Sequence, residues 1–379
     1  MKKITFFLIG IIAGLTSLEA QVTYTGKPMY KIDVKRGGVF IGSIKVELFP
    51  NIAYHHTRNF DSLVSVHFFD TTAFHRVIPG FMIQGGDPNS RHGNVNTWGQ
   101  GQPNQPNVNA EFTAAKHVRG TLSAARDTDT NSANSQFFIC VAPYASLNGN
   151  YSAYGRVISG INIADTIVSA PRNANDRPNV KHEMFITAIG SNDTVPTKPT
   201  LNTPANNAVN IPFNAQLLLK WAAKSDGIIY TLQVSEDTNF VTLLKTIETG
   251  NNSYYLNPSL LHMTQKVFWR VKVNNGGHTS DWSNTWKFYT ATDAVGIQQA
   301  NADPKVSVFP NPSHDVFTFS ALQKGNMLEI FDITGKQILA KVISEESYTL
   351  DLSTKERGIY VYKITSAAKE TGTGKLILK

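Results

Sequence analysis

The sequence has almost no cysteine: one residue, Cys140, in a chain of 379. A single thiol closes no internal disulfide, so no disulfide framework holds this fold. Cys140 ends the apolar run QFFIC and reads as a buried, inert thiol. Long apolar runs are also missing. The one at the start, Ile4 to Leu15 in MKKITFFLIGIIAGLTSLEA, falls short of the roughly 20 residues a helical span needs. With Lys2 and Lys3 before it and Ala20 after it, residues 1–20 have the layout of a secretory signal peptide. No cysteine follows to carry a lipid, and no later run supports a stable membrane span. Blocks of like charge are absent as well. The net charge is +7, but Lys and Arg are scattered, which argues against a nucleic-acid partner.

Common catalytic devices are missing too: no G-x-S-x-G elbow, no H-E-x-x-H, no G-x-x-x-x-G-K-[ST]. His55 and His56 are adjacent on an expected helix, where neighbours point in different directions. Asp127 and Asp129 lie in RDTDTNSANS, which lacks the glycine and terminal glutamate of a calcium loop. Neither pair reads as a metal site, and no cofactor is expected.

What is present is globular material, 41% hydrophobic and 17% charged, in a chain long enough for two or three domains. In residues 21–192, MYKIDVKRG and VFIGSIKVELFP read as strands. Ala53, Thr57, Phe60 and Val64 then fall at helical spacing and predict a helix of about three turns. GTLSAA, SQFFICVA and YGRVI read as further strands. One or two helices within a mostly antiparallel sheet suggest a closed barrel with helical plugs. The proline-bearing stretch SNDTVPTKPTLNTPANNAVNIP reads as a linker. Residues 197–291 then alternate with period two, as in LLLKWAA and VFWRVKVNNGGHTSDWSNTWKFYT, with Trp221, Tyr230, Trp269 and Trp286 as expected core. A second linker, ATDAVGIQQANADPK, leads to the short strands of residues 305–379.

One stretch needs a reason. FHRVIPGFMIQGGD, residues 74–87, is mostly apolar yet carries Arg76 and Gln84. Burying either without partners costs several kcal/mol. Alternation along the run lets Arg76, Phe81, Met82 and Gln84 face a groove while Val77 and Ile83 pack elsewhere. Together with Gln136 and Phe138 of SQFFIC, they form a set with no strong nucleophile or metal. Such a set binds an apolar ring and holds a backbone amide, as a prolyl peptide requires.

On FHRVIPGFMIQGGD, SQFFI and the later YGRVI–GINIAD, in that order, the chain from about 28 to 190 resembles a cyclophilin-type peptidyl-prolyl cis–trans isomerase. The resemblance implies an eight-stranded closed antiparallel barrel capped by two helices. It places Arg76 at the catalytic arginine, together with Gln84 and Phe81. Met82, Phe138 and Leu147 complete the proline pocket, and Gln136 joins Gln84 in orienting the peptide. Gly93 corresponds to a glycine lining the adjacent groove, and Ala125 and Arg126 to the stretch that binds peptide backbone. Tyr151 stands where many members have histidine. Ser146 stands where many have tryptophan or phenylalanine, which opens the pocket rim.

Residues 197–291 resemble a fibronectin type III β-sandwich, with a spacer or partner-binding role. Residues 305–379 resemble the C-terminal sorting domain of type IX secretion, on VSVFPNPSHDVFTFS, LEIFDITGKQIL and GIYVYKI. The expected partners are proline-containing polypeptides and the type IX secretion machinery. The expected route is export through the periplasm to the cell surface or medium. The alternative to an isomerase is a surface-displayed module that binds proline peptides with little turnover.

Overall fold

The computed structural model describes residues 22–292, 306–320, 322–366 and 371–379. The expected signal peptide and most of the second linker lie outside these residues.

Eight strands form the first sheet: β1 (Lys27–Arg36), β2 (Val39–Leu48), β3 (Phe74–Ile78), β4 (Met82–Gly85), β5 (Thr121–Ala124), β6 (Phe137–Cys140), β7 (Ala153–Ser159) and β8 (His182–Asn192). Their order is β3-β4-β6-β5-β7-β2-β1-β8, with antiparallel pairing throughout. A bridge between Ala73 and Glu183 joins the two edges, so the sheet curls into a barrel. Two helices pack into it: α1 (Tyr54–Ser65), where helical spacing predicts one, and, beyond a single turn α2 (Asn89–His92), α3 (Ile161–Val168). Phe60 and Val64 of α1 and Ala164, Ile167 and Val168 of α3 share one core with Ile32, Val46, Leu122, Phe137 and Ile186 of the strands. Burial of these aliphatic and aromatic groups, each contributing about 1.5–3 kcal/mol, is the main force closing the barrel.

Two further pairs of sheets follow. β9 (Leu201–Thr203), β11 (Leu217–Trp221) and β14 (Ser253–Leu256) face β10 (Ala208–Ile211), β12 (Ile229–Ser235), β13 (Leu243–Thr249), β15 (Lys266–Asn274) and β16 (Trp286–Thr290). Trp221, Tyr230 and Trp269 are buried between them and Trp286 packs against that core. β10 joins β16 in parallel, an exception to otherwise antiparallel pairing in this sandwich. The last sandwich places β17 (Ser307–Phe309), β18 (Val316–Ser320) and β21 (Ser347–Asp351) over β19 (Met327–Asp332), β20 (Gln337–Val342), β22 (Gly358–Thr365) and β23 (Thr371–Leu378), around Phe317, Phe319, Leu328 and Ile330.

The first linker is not loose. Its opening residues Ser191 and Asn192 belong to β8, paired with Pro28 and Lys27. Thr194 then accepts a 2.8 Å bond from Asn275, and Lys198 donates to Asn284 at 2.9 Å. Barrel and sandwich also touch directly. Asn51 donates from its backbone to Gly276 O (2.9 Å) and from its side chain to Gly277 O (2.6 Å). Ile52, Ala115, Ala153, Ile228 and Ile229 form one apolar cluster across the junction. Both glycines are required there: a Cβ on Gly276 would come within 2.3 Å of the Phe49 ring, and one on Gly277 within 2.7 Å of Lys27. Beneath Gly277, the fully buried Lys27 pairs with Glu47 at 2.9 Å. Arg156 (2.7 Å) and Asn192 (3.0 Å) complete the coordination of that carboxylate. A buried ion pair is tolerable only when its remaining valences are satisfied in this way.

Candidate functional site

The groove starts from strand register. β3 and β4 pair Arg76 with Gln84, Val77 with Ile83 and Ile78 with Met82. Alternation sends Val77 and Ile83, both fully buried, into the barrel core. Met82 goes to the opposite face, where it clusters with Phe138, Cys140 and Leu147. Phe81, Ala125 and Tyr151 pack around that cluster. Burial pushes the Cys140 thiol up to about 12, so it is an apolar filler.

These residues open onto a cavity of about 790 Å³ lined by Arg76, Phe81, Met82, Gln84, Ala125, Arg126, Phe138, Leu147 and Tyr151. Gln136 is not among the lining residues but bonds two that are, Gln84 and Gly99. Gly93 does not line the cavity; its carbonyl instead accepts a 3.2 Å bond from the Trp98 indole, and Trp98 itself is on the wall. Asp127 and Asp129 accept backbone N–H bonds from Thr128 and Asn131, as turn-capping carboxylates do.

The amides form a chain whose polarity is set at one end. The Gly99 carbonyl can only accept, and it takes a 3.1 Å bond from Gln136 Nε2. Gln136 therefore turns Oε1 toward Gln84 Nε2, also at 3.1 Å. Gln84 in turn presents Oε1 to Arg76 Nη1 at 3.3 Å. Gly99 is itself anchored, its N–H donating to the buried Asp87 carboxylate, while Asn89 Nδ2 holds Gly101 O at 2.6 Å. The helical turn α2 and the loop after it thus orient the arginine from more than ten residues away. That one long bond is the only hydrogen bond of Arg76 among the described residues, and its side chain is exposed. Most of its donors remain free for a ligand.

The aromatic wall is supported from behind. His117 is buried and stacks on Phe138 with ring centroids 6.0 Å apart. Its Nε2 meets Ser123 Oγ at 2.9 Å, and burial holds its pKa below the ordinary histidine range. His75, next to Arg76, is likewise kept neutral by burial, against the opposing pull of Asp87. The cavity therefore has an uncharged floor and a cationic rim. Ser146 is exposed, and the exposed Tyr144 ring packs 4.3 Å from that of Phe81. Sequence pattern did not single out Trp98, Asn96, Asn175 or Arg177 for the cavity wall.

Residues 31–189 match the cyclophilin type peptidyl-prolyl cis-trans isomerase model. A peptidyl-prolyl cis-trans isomerase-like 3 of Dictyostelium discoideum is 39% identical over 142 residues, 36% of this chain and 83% of that protein. The chain belongs to the cyclophilin-type peptidyl-prolyl cis–trans isomerases. A probable peptidyl-prolyl cis-trans isomerase of Brucella suis is 42% identical over 132 residues; the chain spans 66% of its length. A solved cyclophilin type isomerase of Cryptosporidium parvum aligns at 27% identity with a TM-score of 0.39, covering 44% of this chain and 99% of that one. This cyclophilin also carries, over residues 307–379, a match to the secretion system C-terminal sorting domain. That match marks an exported protein, destined for the cell surface or the medium. Among the described residues no helix is long and apolar enough to cross a membrane.

Proposed function

We propose that the cyclophilin barrel accelerates rotation about X–Pro bonds in exported polypeptides, and that Arg76 is its catalytic residue. The observation that carries this is the Arg76 guanidinium, oriented by Gln84 and otherwise uncommitted, beside the Phe81–Met82–Phe138–Leu147 pocket. Rotation about a peptide bond faces about 18–20 kcal/mol because amide resonance must be lost. For X–Pro the uncatalysed change takes tens to hundreds of seconds. At the twisted transition state the proline nitrogen becomes pyramidal and gains a lone pair. A guanidinium donor aimed at that nitrogen is favoured only there, so it lowers the barrier and does not merely tighten binding. The pocket holds the ring while the rest of the peptide turns. Ala125 and Arg126 line the side of the groove that receives peptide backbone. Reaching milliseconds needs a factor of roughly 10⁵, about 7 kcal/mol, of which one donor supplies part and positioning the rest.

We further propose a division into a signal peptide (1–20), the isomerase domain (21–192), a fibronectin type III-like sandwich (197–291) and the sorting domain (305–379). Transit would be through the periplasm and out by the type IX machinery. The decisive experiment is magnetisation-transfer NMR on a proline peptide with and without the full chain. Catalysed exchange is expected. Saturable peptide binding without faster exchange would replace the isomerase by a proline-peptide binding module. Removal of residues 305–379 is expected to leave exchange intact and trap the protein in the envelope; normal delivery would refute the sorting role.

A further inference from the structure

The cavity wall contains three arginines, Arg76, Arg126 and Arg177, and no aspartate or glutamate. None of the three makes an ion pair among the described residues. The nearby carboxylates are committed elsewhere. Asp87 is buried and accepts from the Asn89 and Gly99 N–H groups. Asp176 pairs with Arg172 at 3.1 Å, and Asp127 accepts from Thr128 N–H at 2.9 Å.

The two outer arginines stand on opposite sides of the proline pocket. Arg126 follows β5, its guanidinium 4.5 Å over the Tyr151 ring, with Nη2 donating to Asn150 O at 3.1 Å and Nη1 to the backbone oxygens of Asp127 (2.8 Å) and Thr128 (3.4 Å), which fix the charge at the wall without neutralising it. Its Nε is buried with no partner. Arg177 belongs to the segment that flanks the free side of β3, where Val77 N–H donates to Asp176 O at 2.8 Å. It lies 5.9 Å over Trp98 and donates to Val95 O. From the segment of Arg177, one spacing outside β3, across β3, β4 and β6 to β5 is four strand spacings, about 19 Å between backbones, of which the two arginine side chains, both lining the cavity, cover part and leave about 14 Å. An extended peptide covers that distance in four residue steps, at about 3.3–3.6 Å each. A proline in the pocket would then have a residue near each arginine, two positions before it and two after.

We infer that the groove selects proline-containing segments with aspartate or glutamate on both flanks of the proline, and that Arg177 and Arg126 receive the two carboxylates. The inference rests on the isomerase reading of the pocket. Trp98 and Tyr151 hold the guanidinium planes, and the absence of acid from the wall removes internal competition for them.

The test uses the full chain and capped peptides Xaa-Ala-Pro-Ala-Xaa with glutamate, glutamine or lysine at both Xaa positions, followed by exchange NMR. The expected order of kcat/KM is glutamate, glutamine, lysine. Glutamate should exceed lysine by about tenfold at about 20 mM salt and about twofold at about 0.5 M, as exposed charges are screened. Arg177→Gln should cut the low-salt ratio about threefold, while Arg177→Lys, which keeps the charge, should retain most of it. Equal rates for the three peptides, or a ratio unmoved by both salt and Arg177→Gln, would overturn the acidic preference and leave the isomerase reading intact. Absence of catalysed exchange for every peptide would overturn the isomerase reading instead; the order of peptide affinities by calorimetry would still decide the preference.

Discussion

Two arginines beside aromatic rings separate the barrel from the sandwich that follows it. In the sandwich, Arg270 lies 3.8 Å from the Phe240 ring centroid and 4.3 Å from that of Trp282. Gln233 Oε1 accepts both its Nε (3.0 Å) and Nη2 (2.8 Å), and burial lowers its pKa. Arg76 in the barrel has one 3.3 Å bond to a glutamine and faces a cavity. The residue types are alike: an arginine, a glutamine, aromatic rings. One guanidinium is consumed by its surroundings and acts as structure. The other is aimed and left with free donors, and that surplus is what chemistry can use.

The largest effect that would sharpen the contrast is expected from Arg76→Ala. It should lower kcat/KM by roughly 10²–10³, about 3–4 kcal/mol of transition-state stabilisation, with little change in thermal unfolding. An unchanged rate would erase the distinction on the barrel side. Gly276→Val should open the barrel–sandwich junction, because its side chain enters the Phe49 ring. A cost of about 1–3 kcal/mol is expected, seen as faster proteolysis between residues 190 and 200, with exchange activity retained. Arg270→Ala should cost about 1–2 kcal/mol of sandwich stability, through lost stacking and hydrogen bonds, without affecting proline exchange. Lost exchange with an intact sandwich would break the comparison from the other side.

Acidification should act on the barrel. Burial lowers the pKa of His75, His117 and His182 from the ordinary 6.5. The unfolded chain therefore binds more protons than the fold as pH falls. The stability carried by these neutral rings is complete above about pH 6.5 and is lost progressively as pH drops through the lowered values. The barrel melting temperature should fall between pH 7 and pH 5, and His117→Phe should lessen the fall. The smallest effect is expected from Tyr144→Ala, which removes the ring against Phe81: a two- to fivefold rise in KM, roughly 0.5–1 kcal/mol, with kcat little changed.

Much of the site was legible in FHRVIPGFMIQGGD because β alternation is local. The same two-residue period that sends Val77 and Ile83 inward sends Met82 outward and pairs Arg76 with Gln84. What was not legible came from segments joined only by folding. The resemblance places Gly93 on the adjacent groove; folding adds that its carbonyl accepts from the Trp98 indole, and Trp98 lines the cavity. The Tyr144 ring meets Phe81 from a position two residues before Ser146, in a direction that depends on the 3₁₀ turn that follows it. The linker expected after residue 190 begins as paired strand because Lys27 and Pro28 lie alongside to accept it.

The sequence by itself determined the barrel helix at Tyr54–Ser65, the alternating faces of β3 and β4, the all-β character of the later domains and the family, since each rests on residues near one another in the chain. Tertiary structure alone decided the relay from Gly99 through Gln136 and Gln84 to Arg76, the cationic rim shared by Arg126 and Arg177, and the docking of Gly276 and Gly277 onto Phe49 and Lys27. Apart from the Gln84–Arg76 step, which lies within one hairpin, those contacts join groups tens to hundreds of residues apart. Their energies depend on which donors and acceptors remain unpaired once the strands have closed, and chain order does not contain that quantity.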